Sequence, residues 1–229
     1  MKSFDRESQD FPSDLKLCDN HLLVLIKPAG MLTQPDESSS PSLQEKGKKW
    51  IKKHFEKPGN VFLEPIHRLD KPVSGIVLFA RTSKALSRLQ AMMRERQIRK
   101  TYYAWVEGHV VKEEALLEHF LTHDSHCARV VTATHPEAKK AVLAYRVVER
   151  GDKGTLLEID LHTGRYHQIR AQLAAIGHPV IGDQKYGSKR LIEGGRILLH
   201  HGKLECKHPV TQLSLILEDR PSFLSFQNF

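Results

Sequence analysis

A single carboxylate, Asp70, stands in the segment HRLDKPVSG (67–75), between His67-Arg68 and Lys71. The chain as a whole carries a formal net charge of +8. An acid in such surroundings either balances the local charge or is held ionised for chemistry, because a neighbouring cation opposes protonation of a carboxylate. An ionised carboxylate can act as a nucleophile or as a base. Asp70 is therefore the first candidate catalytic residue.

A second chemical candidate is the histidine-rich segment HFLTHDSHC. On a helix, His119, His123 and His126 would share one face, as some zinc ligands do. The segment lies between two predicted strands and also contains Asp124 and Ser125, which favours a polar loop. It matches no recognised metal framework, so we expect no metal, and a zinc-dependent hydrolase stays only as an alternative.

Other reaction types lack their sequence motifs. The chain contains no G-x-S-x-G elbow, no GxGxxG and no P-loop, which argues against serine hydrolase chemistry, a nucleotide cofactor and an NTPase. Its cysteines, at 18, 127 and 206, are few and far apart, which fits a reducing compartment better than a disulfide framework. The sequence has no apolar run long enough to span a bilayer and no signal peptide. We expect a cytoplasmic protein without a membrane association.

The excess positive charge points to a polyanionic partner, in the first place nucleic acid. A predicted helix, SKALSRLQAMMRERQIRK, repeats apolar residues at three- and four-residue spacing after a cap at Thr82 or Ser83. Its other face carries cations, among them Lys84 and Arg88. Because this helix follows Asp70 closely in sequence, we expect Lys84 and Arg88 to contact phosphates.

The elements that must position Asp70 are mostly strands. Apolar or alternating patterns predict strands in LLVLIKPAG, GIVLFA (75–80), TYYAWVEGHV (101–110), KKAVLAYRVVER, GTLLEIDLHTG, RILLHHGKLEC and QLSLILE. A helix is predicted at YHQIRAQLAAIG. Strands and helices do not alternate strictly, so we expect an α+β fold with a mixed, mainly antiparallel β-sheet flanked by helices and loops. Residues 1–14 would form a flexible arm and residues 15–229 one domain, acting as a monomer.

Five segments, in order, resemble the motifs of the RluA-type RNA pseudouridine synthases. HRLDKPVSGIVLFA is similar to the family's HRLDxxTSG motif, and DNHLLVLIKPAGMLTQP resembles its first motif, which ends in KPxG. The others are RKTYYAWVEG, LHTGRYHQIRAQLAAIGHPVIGDQKYG and RILLHHGKLECKHPVT. Together they extend from about residue 19 to residue 211. The resemblance implies a pseudouridine synthase fold as a stand-alone catalytic domain, without an S4 domain.

The resemblance also implies a reaction. The family converts uridine in RNA, here in rRNA or tRNA, to pseudouridine by breaking the N1–C1′ bond, turning the base and rejoining it through C5. No cofactor is required, in agreement with the missing nucleotide and metal motifs. By resemblance, Asp70 is the catalytic aspartate, Arg170 its ion-pair partner, and Tyr102 the tyrosine that packs on the target base. Sequence alone does not choose between Tyr102 and Tyr103, but the motif spacing favours Tyr102.

The resemblance assigns further residues to RNA binding. Arg68 would enter the space left by the extruded uridine, and extrusion is required because the sugar of a stacked nucleotide is out of reach. An apolar wall of the base pocket would come from Leu198 or Leu199. The complete set of expected RNA-binding residues is His67, Arg68, Lys71, Lys84, Arg88, Arg165 and His167.

Two positions depart from the family pattern. Val73 stands where the family usually has Thr, and His201 where Ala is common. Neither change removes the proposed acid or its partner. An alternative of a different class remains: an RNA-binding protein that kept this scaffold and lost catalysis.

Overall fold

The computed structural model describes residues 13–38, 40–124 and 126–225, apart from the side chains of residues 222 and 225. The expected arm, residues 1–14, lies outside this range except for Ser13 and Asp14, which form a turn. In the described part of the chain, no helix is long and apolar enough to cross a membrane.

A single mixed sheet organises the fold, and it contains eleven strands within the described ranges. They are β1 (Leu15–Cys18), β2 (Leu22–Lys27), β3 (Glu64–Pro65), β4 (Ser74–Ala80), β5 (Arg99–Glu107), β6 (Glu114–Asp124), β7 (Cys127–Val131), β8 (Lys139–Arg150), β9 (Gly154–Leu161), β10 (Leu199–Lys207) and β11 (Ser214–Glu218). Their order is β1-β2-β4-β10-β5-β9-β8-β6-β7, with β3 beside β4 and β11 beside β10. The pairing of β4 with β10 is parallel, and the other strand pairs are antiparallel. The predicted mixed, mainly antiparallel α+β fold is confirmed.

Three α-helices flank this sheet in the described ranges: α1 (Leu43–His54), α2 (Ser83–Arg94) and α3 (Gln168–Ala175). Short 3-10 turns occupy Gln184–Tyr186, Glu193–Gly195 and Ser222–Ser225. The N-terminus of α1 is closed by a capping box between Ser42 and Glu45. The predicted cap of α2 is Thr82, whose hydroxyl accepts from the Ala85 amide at 3.2 Å. The predicted helix ends earlier than its sequence pattern suggested, because Arg96 has a φ of 58° and β5 begins at Arg99.

The two faces of the sheet carry different helices. On β5, Tyr102 and Ala104 pack in the same apolar cluster as residues of α1 and α3. Trp105 packs in a separate cluster, as the predicted alternation requires. Helix α2 lies on the opposite face of the sheet from Tyr102, because Ala85 and Leu89 pack against the other side of β4.

The histidine-rich segment is a β-hairpin rather than the expected polar loop. Strand β6 continues to Asp124 and β7 begins at Cys127, with Phe120 paired to Val131. The loop prediction was wrong because the segment has no apolar alternation in its sequence: polar side chains occur on both faces of β6, and much of the strand is exposed.

Gly75 permits a close approach between β4 and β10. Its φ is +124°, and a Cβ built on it would lie 2.4 Å from the carbonyl oxygen and 2.5 Å from the nitrogen of His201. Both contacts are with backbone atoms, which cannot move aside as a flexible side chain can. Gly75 is therefore a tight backbone position.

Replacing Gly75 by alanine should destabilise the protein by at least about 2 kcal/mol, because both the backbone conformation and the space require glycine. The shift of the urea unfolding midpoint measures this effect. Gly59→Ala is the matched control, since nothing lies within 4 Å of a Cβ at that position. Equal midpoints for the two variants would contradict the close approach.

Candidate active site

Asp70 lies in the loop between β3 and β4, and Lys27 of the KPAG segment holds the backbone of this loop. The ammonium group of Lys27 is completely buried and donates to the carbonyl oxygens of Pro28, Met31 and Lys71 at 3.0, 2.7 and 3.2 Å. Burial lowers the pKa of Lys27 to about 8, although the charge of Asp70 acts in the opposite direction. The backbone just after Asp70 is thus held in place.

A second contact fixes the same loop from its other side. The hydroxyl of Thr33 donates to the carbonyl oxygen of Leu69 at 2.9 Å and accepts from the Leu69 amide at 3.1 Å. The Val73 amide closes a turn on the carbonyl oxygen of Asp70 at 3.0 Å. With its backbone held by these bonds, Asp70 turns its carboxylate toward a cleft of about 730 Å³.

Arg170, on α3, bonds two carboxylates at once. Its Nη1 donates to Oδ2 of Asp70 at 3.1 Å, while Nε and Nη2 donate to the two oxygens of Asp183 at 2.6 and 2.8 Å. The side chains of Arg170 and Asp183 are 5% and 1% exposed. Burial alone lowers the pKa of Arg170, but the hydrogen bond and charge of Asp183, followed by those of Asp70, raise it above its usual value. The expected Asp70–Arg170 pair is present in the structure, with Asp183 as an additional anchor.

His167, which precedes α3, also faces Asp70. Its Nε2 lies 3.4 Å from Asp70 Oδ2, and its Nδ1 lies 2.8 Å from the hydroxyl of Tyr186. That hydroxyl accepts from the amide of Ala128 at 2.8 Å, so its own proton is free for Nδ1. Burial and then the charge of Arg170 lower the pKa of His167 to about 3, so the ring is neutral. A neutral ring that accepts at Nδ1 carries its proton on Nε2, toward Asp70.

Tyr102 and Leu199 line a small pocket of about 80 Å³ together with Asp70 and Arg170. The Tyr102 ring stacks on His201, with centroids 4.6 Å apart and planes at 21°. Burial raises the pKa of the Tyr102 phenol well above its ordinary value, and the charge of Asp70 adds to the effect. Tyr103 packs in the cluster on the other side of β5, with Trp105 and Leu198. Position 102 is therefore the tyrosine that the structure brings to Asp70.

Several of the expected RNA-binding residues surround the cleft. Arg68 and Lys71 are exposed and line it, together with Lys185. Arg165 is exposed beside the small pocket, where its Nε donates to the carbonyl oxygen of Lys140 at 3.1 Å. These cations give the mouth of the cleft a positive charge.

Other expected residues lie elsewhere. His67 turns inward: its Nε2 accepts from the Leu78 amide at 3.3 Å, and burial lowers its pKa well below the ordinary value. Lys84 and Arg88 lie on α2, where Arg88 donates to the carbonyl oxygen of Pro209 at 2.7 Å. Strand β4 separates this helix from Asp70, so closeness in sequence does not become closeness in space. Leu198 points to the side of the sheet away from Asp70 and lines a different cavity.

The three histidines of the zinc alternative do not share a helix face. His119 and His123 lie on β6, and His126 lies in the turn that follows. Nδ1 of His119 is 3.0 Å from Nε2 of Gln172. Among the side chains that the structure describes, no group of three or more His, Cys, Asp or Glu could hold a metal ion.

Sequence reasoning missed three residues around Asp70. Asp183 and Tyr186 both belong to the segment GHPVIGDQKYG, which resembled a family motif without indicating a role for either residue. Their hydrogen bonds to Arg170 and His167 are visible only in the structure. His201 was noted as a departure from the family pattern, but only the fold shows that it supports the Tyr102 ring.

The chain is similar to known proteins over most of its length. A family model described as RNA pseudouridylate synthase matches residues 21–175. The dual-specificity RNA pseudouridine synthase RluA of Pasteurella multocida (strain Pm70) is 33% identical over 214 residues, covering 92% of this chain and 94% of that protein. The tRNA pseudouridine synthase C of Vibrio parahaemolyticus (serotype O3:K6, strain RIMD 2210633) is 30% identical over 222 residues, covering 87% of each chain.

The fold is also found in a solved structure. Human RNA pseudouridylate synthase domain containing 1 superimposes with a TM-score of 0.75 and 22% sequence identity, covering 96% of this chain and 88% of that one. At this identity the likeness concerns the fold. The family model and the sequence matches show that the chain belongs to the RNA pseudouridylate synthase family, whose members are isomerases that convert uridine in RNA to pseudouridine.

Proposed function

We propose that this chain isomerises specific uridines of rRNA or tRNA to pseudouridine without a cofactor, using Asp70. The observation that carries the proposal is the position of Asp70 at the base of a cationic cleft, bonded to a guanidinium that a second carboxylate holds. A carboxylate fixed in this way can meet the sugar of a nucleotide that enters the cleft.

The reaction needs one carboxylate at the sugar. Asp70 either attacks C1′ or removes the C2′ proton, and in both cases the N1–C1′ bond breaks and its electron pair leaves with the uracil. The base then turns and C5 bonds to C1′; this step releases the Asp70 carboxylate from C1′, or is accompanied by return of the proton to C2′ if Asp70 removed it. The C5 proton is lost and N1 of the uracil takes up a proton, so no atom is gained or lost overall. The net reaction is an isomerisation, so neither an oxidant nor a phosphate donor is consumed.

Tyr102 and Leu199 would form the walls against which the uracil turns. The raised pKa of Tyr102 keeps its phenol protonated near neutral pH, so the ring presents a neutral face to the base. Stacking on an aromatic ring suits a base that must turn, because a face-to-face contact does not fix the direction of the hydrogen-bonding edges of the base.

A basic groove beside the site supports an RNA partner. The groove has a volume of about 500 Å³ and is lined by Arg94, Arg96, Arg99, Lys100 and Arg165. Arg165 also lines the Asp70 pocket, so the two regions are adjacent. Phosphates that follow this groove would lead an RNA strand to Asp70.

The alternative of a catalytically silent RNA-binding protein has less support. A protein that only binds RNA has no need of a buried Arg170–Asp183 pair directed at one partly exposed carboxylate. The free state of Cys18, Cys127 and Cys206 supports the cytoplasm as the place of action. We keep the expectation of a monomer as part of the proposal.

Asp70→Asn should reduce tritium release from RNA labelled at uridine C5 by at least about 1000-fold, because the amide is neither a nucleophile nor a base. RNA affinity should stay nearly unchanged. Asp36→Asn is the matched control, since Asp36 lines the same cleft. If Asp70→Asn retained normal turnover, the proposed chemistry would be wrong.

Asp183→Asn should lower kcat by roughly 100-fold, because Arg170 would lose the partner that directs Nη1 at Asp70. It should also lower the free energy of unfolding by about 3–5 kcal/mol, since the buried guanidinium of Arg170 would lose the negative charge of Asp183. Chemical unfolding and single-turnover kinetics measure the two effects separately.

Asp160→Asn provides the comparison, because Asp160 pairs with the largely exposed Arg99 at 3.0 Å. Breaking an exposed pair costs less than about 1 kcal/mol. An Asp183→Asn protein that matched Asp160→Asn in both stability and kcat would show that Asp183 does not position Arg170.

A further inference from the structure

Three aromatic rings form a continuous row that leads out of the Asp70 site. Tyr166 stacks on His167 with centroids 3.9 Å apart and planes at 17°, and His123 of β6 tilts against Tyr166 at 4.3 Å and 55°. His167, at the inner end, is 9% exposed and faces Asp70. Tyr166 is 41% exposed, and His123 at the outer end is exposed too. The row therefore runs from the catalytic carboxylate to solvent.

The exposure of Tyr166 is not explained by packing. A tyrosine of the core buries its ring and makes a short hydrogen bond with its hydroxyl. Tyr166 instead is 41% exposed, and its hydroxyl donates only at 3.5 Å to the carbonyl oxygen of His126. Tyr166 stands between Arg165 and His167 in the segment LHTGRYHQIR. The general requirements of the fold therefore do not account for a large aromatic side chain at this position.

The surroundings of the row match the charge of a nucleic acid strand. Tyr166 lines the Asp70 cleft, and it also lines a second groove of about 490 Å³ on its other side. His123, Lys139 and Arg165 line this second groove, with Glu137 as its one described acidic residue. A flat aromatic surface among cations suits a base that stacks while its phosphates lie against the positive groups.

We propose that Tyr166 and His123 form a stacking platform for an unpaired base next to the target uridine, with the exposed His123 ring as its open end and Tyr166, stacked on His167, as its support. The inference rests on the proposed function, since it places the target itself against Asp70. Extrusion of a uridine breaks its stacking on both neighbours, and a neighbouring base then needs a new partner. The row offers that partner at the mouth of the cleft. It would accept any of the four bases, because each base has a flat π-face that can stack.

Two variants test this platform. Tyr166→Ala removes the ring, and Tyr166→Phe keeps the ring while removing the hydroxyl. Phe62→Ala is the control, because Phe62 is a similarly exposed aromatic residue, at 43%, that lines none of the cavities described above. The probe is a short single-stranded RNA with one uridine and with 2-aminopurine at each neighbouring position in turn, whose fluorescence falls when the base stacks.

We expect the wild-type chain to quench 2-aminopurine at one neighbouring position. Tyr166→Ala should abolish this quenching and raise KM about 5- to 150-fold, the range expected for one lost stacking contact. The loss should fall mainly on KM rather than kcat. Tyr166→Phe should restore both quenching and KM, and Phe62→Ala should behave as the wild type.

The outcomes separate the platform from the proposed function. If the wild type makes pseudouridine and Tyr166→Ala matches Phe62→Ala in KM and quenching, the platform is wrong and the function stands. If no pseudouridine forms but quenching depends on Tyr166, the function is wrong and the platform stands. A Tyr166→Phe protein as impaired as Tyr166→Ala would also overturn stacking, because it would assign the effect to the hydroxyl.

Discussion

The double engagement of Arg170 is the constraint around which the site is arranged. A guanidinium with 5% of its side chain exposed has lost most of its hydration, so it needs carboxylates at fixed positions. Asp183 provides two of the three bonds and is itself buried, while Asp70 takes the third and faces the cleft. The planar fork of arginine allows this division, because its donors point in fixed directions. The catalytic candidate is thus the one member of the group that a substrate can reach.

The rest of the fold fixes the positions of Asp70 and Arg170 relative to each other. The loop of Asp70 is fixed by Lys27, the last residue of β2, and by Thr33, in the segment between β2 and α1. Arg170 is placed by α3, which packs Ile169 and Leu173 into the same core as β5. Separate parts of the chain therefore converge on one carboxylate. The sheet makes this possible because β4 and β5 both neighbour β10.

Much of this arrangement could be predicted from local patterns or from resemblance. An alternating strand pattern places Tyr102 and Tyr103 on opposite faces of β5, as the structure has them. The apolar repeat of α2 likewise predicted which side of that helix is buried. The Asp70–Arg170 pair joins residues 100 positions apart, so only the family motifs could connect them.

The errors have equally specific causes. Leu198 and Leu199 are neighbours, and the phase of β10 decides which of them faces Asp70, so sequence alone could not choose. Lys84 and Arg88 are close to Asp70 in sequence, but β4 places their helix on the other face of the sheet. The role of Asp183 depends on a turn between two elements, and no local pattern encodes it. The exposed β6 lacked the apolar alternation that identifies a strand.

The central claim is that the two-sided engagement of Arg170 makes Asp70 competent to convert uridine in RNA. Pseudouridine maps of total RNA should be compared for cells that lack the gene and carry either the wild-type chain or a folded Arg170→Lys variant. A lysine keeps the charge but has no planar fork, so it cannot hold both carboxylates in the same geometry. The account predicts that the wild type restores the missing pseudouridines and that the lysine variant does not. Full restoration by Arg170→Lys, or maps that do not change when the gene is absent, would contradict it.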